Sequence, residues 1–356
     1  MFDRIGADEY EQVVFCHDRA SGLRAVIAIH STRLGPALGG TRFYPYPDED
    51  AAVEDVLRLA RGMTYKSAAA GLDLGGGKAV IIGDPATAKS EPLLRAYARF
   101  VESLGGRYIT AEDVGTTQAD MDLIRRETAH VTGVSRELGG SGDPSEATAY
   151  GVLHAMKAVA RHLWGDASIA DRHVAVSGVG KVGSALVRHL VEERTRVTVG
   201  DVDPAALDHA AGSFGVDTAP VEKIHAVDCD IYSPCALGGA LNPATIPELR
   251  CAAVVGSANN QLADPSCATA LARAGVLYAP DFVVNAGGVI NIAEELHSYH
   301  RERAYANIRR IYDTTTGVLA RASAEGITTA AAAEELAEGR IDAVARVRLI
   351  RTRARG

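Results

Sequence analysis

The chain has 356 residues, of which 47% are apolar, and this length and composition are typical of a globular protein with two domains. A net charge of −8 at pH 7 argues against a nucleic-acid-binding protein, and no apolar run is long enough to span a membrane. The acidic N-terminus lacks the pattern of a secretory signal.

The cysteines and the C-terminal tail give little sign of function. Five cysteines are widely spaced with no Cys-x-x-Cys pair, so we expect neither a metal site nor disulfides, and a reducing, cytoplasmic location. The basic tail at 345–356 is interpreted as a solvated helix end rather than as a binding segment.

The first part of the chain alternates between strand-like and helix-like patterns. The β-branched run at 23–31 predicts a strand, and the glycines and proline of 34–42 predict that it breaks there. Acidic residues followed by a 3.6-residue apolar period predict a helix over 48–71. The same criteria then predict a strand at 77–83, a helix at 90–106, a strand at 107–115 and a helix at 117–128.

The pattern changes near residue 145, where a long helix is predicted over 145–165. An apolar strand, a glycine turn, a helix and a second strand follow, and together they form one βαβ unit. Further strands are predicted at 229–236, 252–259 and 276–284, and the chain is helical from 286. This alternation predicts an α/β fold with a doubly wound parallel sheet.

The glycine turn carries a dinucleotide-binding pattern, with glycines at 178, 180 and 183 between a strand and a helix. Gly178 allows the tight turn, Gly180 lets the backbone approach a pyrophosphate, and Gly183 allows close helix packing. Asp201 ends the next strand, where a carboxylate can bind a ribose 2′-hydroxyl and would repel a 2′-phosphate. NAD is therefore expected rather than NADP, with Asp203 as the alternative to Asp201.

A second glycine-rich stretch, "LDLGGGKAVII" at 72–82, is not a phosphate-binding P-loop. Gly77 and Lys78 fit that motif, but Leu72 and Ala79 stand where it needs a glycine and a hydroxyl. Glycines before a lysine at the start of a strand instead favour close approach of the backbone to a small ligand.

Six stretches together resemble the glutamate, leucine, valine and phenylalanine dehydrogenase superfamily. They are "LGPALGGTR", "ARGMTYKSAAAGLDLGGGKAVI", "YITAEDVGT", "SPCALGGAL", "GSANNQLAD" and "YAPDFVVNAGGVINIAEEL". The resemblance extends over about 13–300 in the same order, and it is strongest to the bacterial branched-chain enzymes. It diverges most over 301–356.

The resemblance implies a catalytic role for two residues. Lys78 would activate water, and Asp113 would hold the substrate amino group and relay a proton. Lys66 and the main chain at Gly39 and Gly40 would bind the substrate carboxylate. A lysine that acts as a base must give up its proton near the working pH, which desolvation and a neighbouring cation favour.

The resemblance also implies an apolar substrate pocket. Glutamate enzymes of the family carry a lysine at the position of Leu38 and a hydroxyl residue at that of Ile292, so an apolar substrate is expected here. The pocket would include Ala111 and Val289 as well, and Met63 would be a further substrate-binding residue. Valine and leucine differ by one methylene, worth about 1–3 kcal/mol in such a pocket, so the sequence leaves the choice between them open.

Residues that would contact the cofactor complete the implied site. Asn259 and Asn260 would lie near cofactor and substrate, and their sequence spacing does not separate the two roles. The other implied cofactor contacts are Thr148, Gly178, Val179, Gly180, Lys181, Val182, Gly183, Asp201, Cys235 and Ala236.

The resemblance thus implies NAD-dependent oxidative deamination of a branched-chain amino acid, valine before leucine and isoleucine. Two α/β domains separated by a cleft are expected: a substrate and oligomerisation domain at 1–144, joined by 330–356, and a Rossmann domain at 145–329. A homo-oligomer, from dimer to octamer, is expected, without nucleic-acid, membrane or metal partners. The alternatives are a dehydrogenase for phenylalanine or another apolar amino acid, and a dinucleotide sensor without catalysis.

Overall fold

A computed structural model describes residues 2–7 and 9–347, which divide into two compact units. The first contains the described residues up to Asp143, residues 292–301 and those from Ala337 onward. The second contains 144–291 and 302–336. The basic tail is described only up to Val347, so most of it lies outside the described residues.

Two segments lie in a different unit from the domain to which the sequence analysis assigned them. Residues 292–301 lie with the first unit, where the Glu295 carboxylate accepts hydrogen bonds from the backbone N–H groups of Gly133 and Ser141. Residues 330–336 lie with the second unit, where Ala330 packs against that unit's apolar core. Both assignments therefore follow from contacts between segments far apart in sequence.

Short connections join fourteen α-helices and eleven strands in the described residues. The helices are α1 (Phe2–Ala7), α2 (Glu49–Ala69), α3 (Pro85–Ala88), α4 (Glu91–Ser103), α5 (Gln118–Ile124), α6 (Ser145–Trp164), α7 (Lys181–Glu192), α8 (Pro204–Phe214), α9 (Ser266–Arg273), α10 (Asp281–Val284), α11 (Gly287–Ala293), α12 (Arg301–Arg309), α13 (Ile311–Glu325) and α14 (Thr329–Ala345). The strands are β1 (Gln12–Asp18), β2 (Leu23–Ser31), β3 (Ala37–Tyr44), β4 (Gly75–Ile82), β5 (Tyr108–Glu112), β6 (His173–Ser177), β7 (Arg196–Gly200), β8 (Asp217–Thr218), β9 (Ile231–Pro234), β10 (Ala253–Val254) and β11 (Leu277–Tyr278). None of the described helices combines the length and apolar character needed to cross a membrane.

The first unit is built on a mixed sheet with strand order β1-β2-β4-β3-β5. The β1–β2 and β2–β4 pairs are antiparallel, whereas β3 is parallel to both β4 and β5. On one face, Val53, Val56 and Leu57 of α2 pack against Val26 and Val80. The opposite face packs against α4 and α5 in a second core.

The prediction that the chain breaks at 34–42 is wrong, because strand β3 occupies most of this range. Ala37–Tyr44 is an interior strand paired on both sides, although it contains Gly39 and Gly40. Glycine in a strand often marks a close approach of another backbone rather than an interruption. A Cβ on Gly39 would lie 1.8 Å from the carbonyl oxygen of Gly77, so this strand requires glycine.

The second unit contains the predicted doubly wound parallel sheet, with strand order β11-β10-β9-β6-β7-β8. The strand predicted at 276–284 is wrong beyond Tyr278, because the chain turns into α10 at Asp281. Pro280 explains the change, since proline has no N–H to continue the ladder of hydrogen bonds.

The end of α14 packs back onto the first unit. Ala337 and Ile341 pack against Leu34 and Ala68. Arg340 donates hydrogen bonds to the carbonyl oxygens of Gly71 and Leu72 and pairs with Asp73 at 2.7 Å. The loop that leads into β4 is therefore held by the last described helix.

Candidate active site

The candidate site of the first unit lies on the α2 face of the sheet. In β3, residues 38, 40 and 42 share one face, because strand side chains alternate. The register pairs Leu38 with Gly76 of β4 and Gly40 with Ala111 of β5, so these residues share that face. Lys78, two residues beyond Gly76, lies on the same face.

The glycines of "GGGK" let α2 and the strands approach one another closely. A Cβ on Gly76 would lie 2.0 Å from the backbone nitrogen of Thr64 in α2. A Cβ on Gly40 would lie 2.8 Å from the Cβ of Asp113. These glycines thus leave room for the lysine and the carboxylate.

Lys78 and Asp113 form a close ion pair, with 2.6 Å between Nζ and Oδ2. The lysine is buried and the Asp113 side chain is 19% exposed. Burial by itself raises the pKa of Asp113, but the positive charges of Lys78 and Arg42 outweigh it, and the pKa falls to about 2. Asp113 is therefore a carboxylate at neutral pH, held against a lysine that is shielded from water.

The loop after β5 fixes the Asp113 backbone. The N–H of Asp113 donates to the hydroxyl of Thr116 at 2.9 Å, and that hydroxyl lies 2.9 Å from the carbonyl oxygen of Thr41. Gly115 adopts φ +79, a left-handed conformation that favours glycine. The loop therefore fixes the backbone from which the Asp113 carboxylate projects.

Arg42 is a member of this cluster that we did not predict from the sequence. Its Nε lies 3.4 Å from Oδ2 of Asp113, and its Nη1 lies 2.8 Å from Oδ2 of Asp55. The signal in the sequence is the strand alternation Leu38, Gly40, Arg42, which becomes readable only when 37–44 is recognised as a strand.

The other predicted site residues of the first unit lie in β3, β5, α2 and α11. Leu38 and Ala111 are buried, and Lys66 lies half-buried in the last turn of α2. Met63 of α2 faces Gly39, since a Cβ on that glycine would lie 3.3 Å from Met63 Cγ. Ile292 is half-buried near the end of α11.

The second unit has the predicted glycine turn between β6 and α7. Gly178 has φ +97, and its added Cβ would lie 2.7 Å from the Cβ of Ala236. A Cβ on Gly183 would lie 1.9 Å from the carbonyl oxygen of Gly178, which shows how closely α7 packs. Gly180 precedes α7 and borders open space, so its backbone is accessible to a ligand.

The two acids after β7 have different partners. Asp201 accepts hydrogen bonds from the N–H groups of Val179, at 2.7 Å, and Asp203, at 2.9 Å. Asp203 caps α8 by accepting from the N–H of Ala205. Asp201 therefore lies against the glycine turn, whereas the Asp203 carboxylate is engaged in its own helix.

Known proteins match nearly the whole chain. Residues 10–130 match the family model described as Glu/Leu/Phe/Val dehydrogenase, dimerisation domain, and residues 139–210 and 204–348 match Glutamate/Leucine/Phenylalanine/Valine dehydrogenase. A leucine dehydrogenase of Geobacillus stearothermophilus is 53% identical over 98% of this chain and 95% of that protein. A valine dehydrogenase of Streptomyces coelicolor is 57% identical over 93% and 92%.

The chain belongs to the Glu/Leu/Phe/Val dehydrogenase family. A solved member, the L-tryptophan dehydrogenase of Nostoc punctiforme, superposes with a TM-score of 0.85 at 43% identity, covering 97% of this chain and 100% of that one. The predicted resemblance and the two-domain α/β fold are thus confirmed. The chain is an amino-acid dehydrogenase, and its dinucleotide-binding domain indicates a nicotinamide cofactor.

The residues of the second unit fit such a cofactor. The backbone at Gly180 is open at the start of α7, where N–H groups favour a phosphate, and no side chain fills that space. Val179 is buried, Val182 is half-buried and Lys181 is exposed. Cys235 follows β9, its N–H donating to the Ser177 carbonyl oxygen, and Ala236 is exposed beside the turn.

The remaining predicted site residues of the second unit lie in the loop after β10, in α6 and in α11. Asn259 and Asn260 are exposed, and Asn259 accepts a hydrogen bond at 2.8 Å from the amide of Asn285. Asn285 is buried and was not predicted, although the stretch "VVNAGG" that contains it contributed to the resemblance. Thr148 of α6 bonds the carbonyl oxygen of Pro144, and Val289 is buried in α11.

Proposed function

We propose that this dehydrogenase catalyses the reversible, NAD-dependent oxidative deamination of L-branched-chain amino acids, with valine preferred and leucine and isoleucine accepted. The observation that carries the proposal is the buried pair of Lys78 and Asp113 on a sheet face whose neighbouring side chains, Leu38 and Ala111, are apolar. The relatives named leucine dehydrogenase and valine dehydrogenase support the same substrate class.

The residues of the first unit would act on the amino acid in named roles. Lys66 and the main chain of Gly39 and Gly40 would bind the carboxylate, and Asp113 would hold the amino group. The bound nicotinamide cofactor supplies the acceptor for the hydride from Cα. Lys78, after losing its proton, would activate water toward the imine carbon, and the 2.6 Å contact with Asp113 supports direct proton transfer between them.

The apolar surroundings argue against glutamate as the substrate. Leu38 carries no charge that could pair with a distal carboxylate, and an unpaired buried carboxylate costs several kcal/mol. The first unit's part of the proposed side-chain pocket is Leu38, Ala111 and Ile292. Discrimination between valine and leucine would rest on about 1–3 kcal/mol from a single methylene.

NAD is proposed over NADP because of Asp201. Its carboxylate lies against the glycine turn and would bind the ribose 2′-hydroxyl while repelling a 2′-phosphate. We also propose a homo-oligomer that assembles through the first unit, where β1 forms an edge of the sheet. A cytoplasmic location stays a prediction from the cysteines, all of which are free.

The test is the initial rate of NADH or NADPH formation, followed by absorbance at alkaline pH. L-valine, L-leucine, L-phenylalanine and L-glutamate are each supplied with NAD and with NADP. We expect valine and leucine with NAD to exceed every other combination by at least about tenfold, the effect of a mismatched pocket. Lys78→Met should lower kcat by about 10²-fold or more while dinucleotide binding persists.

Each other outcome points to a specific error. Turnover of glutamate would contradict the assignment of the apolar pocket, and preference for phenylalanine would favour the alternative substrate. Folded wild-type protein that binds NAD but turns over no amino acid would favour the dinucleotide sensor.

A further inference from the structure

Arg42 lies between two carboxylates from different elements. It faces Asp113, in the loop after β5, through Nε, and Asp55 of α2 through Nη1. The side chains of Arg42 and Asp55 are 22% and 15% exposed, so this contact is largely shielded from water. An arginine that shares its guanidinium between two acids has little freedom to turn.

Asp55 is itself held by two further donors. The hydroxyl of Tyr46 donates to Oδ2 of Asp55 at 2.6 Å, and Arg58, one turn along α2, pairs with Oδ1 at 2.7 Å. Burial and then the Asp55 contact raise the pKa of Tyr46, so its hydroxyl remains a donor. The side of Arg42 that is turned away from Asp113 is therefore anchored to helix α2.

The charges around Asp113 change during the proposed reaction. Lys78 faces it from β4 and must lose its proton to activate water, and with that proton it loses its positive charge. A guanidinium stays protonated at any pH at which the protein is folded. Arg42, facing Asp113 from β3, is then the cation that persists, while Asp55, Tyr46 and Arg58 lie behind it.

We propose that Arg42, anchored by Asp55, is a positioning residue that keeps Asp113 directed at Lys78 and disfavours lasting protonation of its carboxylate, so that Asp113 passes on each proton it receives while the lysine changes its charge. This inference rests on the proposed function, since it assigns Lys78 and Asp113 their roles in proton transfer. Arg42 itself has no assigned contact with substrate.

The test compares kcat, KM and the pH profile of kcat/KM in four variants. Arg42→Gln should lower kcat by about tenfold or more, which is the typical loss for one charge-assisted contact, and should change the amino-acid KM by less than about threefold. Its acid limb should move to higher pH, because removal of a cation makes the neighbouring groups easier to protonate. Arg42→Lys keeps the charge and should restore the position of the acid limb without the full kcat.

The remaining two variants distinguish loss of the Asp55 anchor from a general loss of stability. Asp55→Asn should lower kcat in the same direction as Arg42→Gln but by less. Arg58→Gln removes a half-exposed partner of Asp55, but Tyr46 and Arg42 still hold that carboxylate, so kcat should stay within about twofold of wild type. A merely structural role would give an unchanged pH profile in Arg42→Gln with a lower Tm, and that result would overturn the inference.

An independent readout separates this inference from the proposed function. ¹³C NMR of protein labelled at the aspartate side-chain carboxyls, with Asp113→Asn as the assignment control, follows the protonation of Asp113 directly. The Asp113 carboxyl should protonate at higher pH in Arg42→Gln than in wild type, and unchanged titration would overturn the inference. Inactive wild-type protein would reject the proposed function and leave this titration as the deciding measurement.

Discussion

At the scale of single residues, Asp113 shows how neighbouring charges can outweigh burial. Burial disfavours its carboxylate, yet Lys78 and Arg42 lower its pKa from an ordinary 3.8 to about 2. The folded-state pKa lies below the unfolded-state value, so the carboxylate stabilises the fold above about pH 4. This contribution is lost as the pH falls through about 2.

The pH dependence of stability should therefore depend on Asp113. Wild type should be more stable than Asp113→Asn at neutral pH, because the variant leaves Lys78 without its carboxylate. The difference between the two should narrow by about 2 kcal/mol from pH 5 to pH 2, the value of a shift of nearly two pKa units. Urea unfolding at several pH values measures it, and parallel curves would contradict the assigned ion pair.

The two acids after β7 offer a matched pair for the cofactor. Asp201→Asn removes the charge beside the glycine turn, so the NAD-over-NADP ratio of kcat/KM should fall by about tenfold or more. Asp203→Asn removes a nearby charge but keeps a good helix cap for α8, so the ratio should stay unchanged. The reverse result would assign the ribose contact to Asp203.

The sequence predicts the local structure around a residue where a motif fixes its neighbours along the chain. The turn at Gly178, Gly180 and Gly183 could be predicted from the sequence, because its strand, turn and helix follow one another directly along the chain. Only the family resemblance brought Lys78 and Asp113 together, since Lys78 lies in β4 and Asp113 in the loop after β5. Arg42 was missed because its role depends on the register of β3 between β4 and β5.

At the scale of elements, glycine is the residue that the sequence rules interpreted least well. The rules that predict turns from glycine predicted a break at 34–42, where the structure has the interior strand β3. The glycine at position 39 serves the strand, because the carbonyl oxygen of Gly77 in the neighbouring strand leaves no room for a Cβ. The pattern of residues along the chain does not show this contact. By contrast, α2 and α6 have long periodic patterns, and their predicted ranges agree with the structure within a few residues.

Substitution by alanine should change the stability in opposite directions at Gly76, which packs against α2, and at Gly62, which lies within α2. Gly76→Ala would put a Cβ 2.0 Å from the Thr64 nitrogen, forcing α2 from the sheet, and should cost about 1–3 kcal/mol of unfolding free energy. Gly62→Ala lies within α2 with nothing near its Cβ and should gain about 0.5–1 kcal/mol. Urea unfolding of both variants tests this, and equal effects would contradict the close packing at Gly76.

At the scale of the whole molecule, both units are assembled from separate stretches of chain. The first unit needs 292–301 and the residues from 337, and the second needs 302–336. Local pattern found the helices in these stretches but not the unit to which each belongs. That assignment depends on Glu295 and Arg340, whose partners lie far away in sequence.

The contact made by Arg340 should therefore matter more than an exposed ion pair beside it. Arg340→Ala removes donors to two carbonyl oxygens and to Asp73, and should cost about 1–3 kcal/mol. Arg33→Ala removes the exposed pair with Asp342 of the same helix and should cost less than about 1 kcal/mol. Thermal and urea unfolding compare them, and equal losses would mean that α14 does not secure the loop before β4.

The discontinuous first unit also sets the order of events during synthesis. The sheet that carries Lys78 and Asp113 leaves the ribosome before the second unit. Arg340 and Ile341, which hold the loop before β4 and pack on α2, leave after the second unit. A nascent chain stalled before residue 337 therefore lacks the last piece of its first unit. Catalytic competence should appear only after residue 341 has left the ribosome, however early the sheet itself has formed.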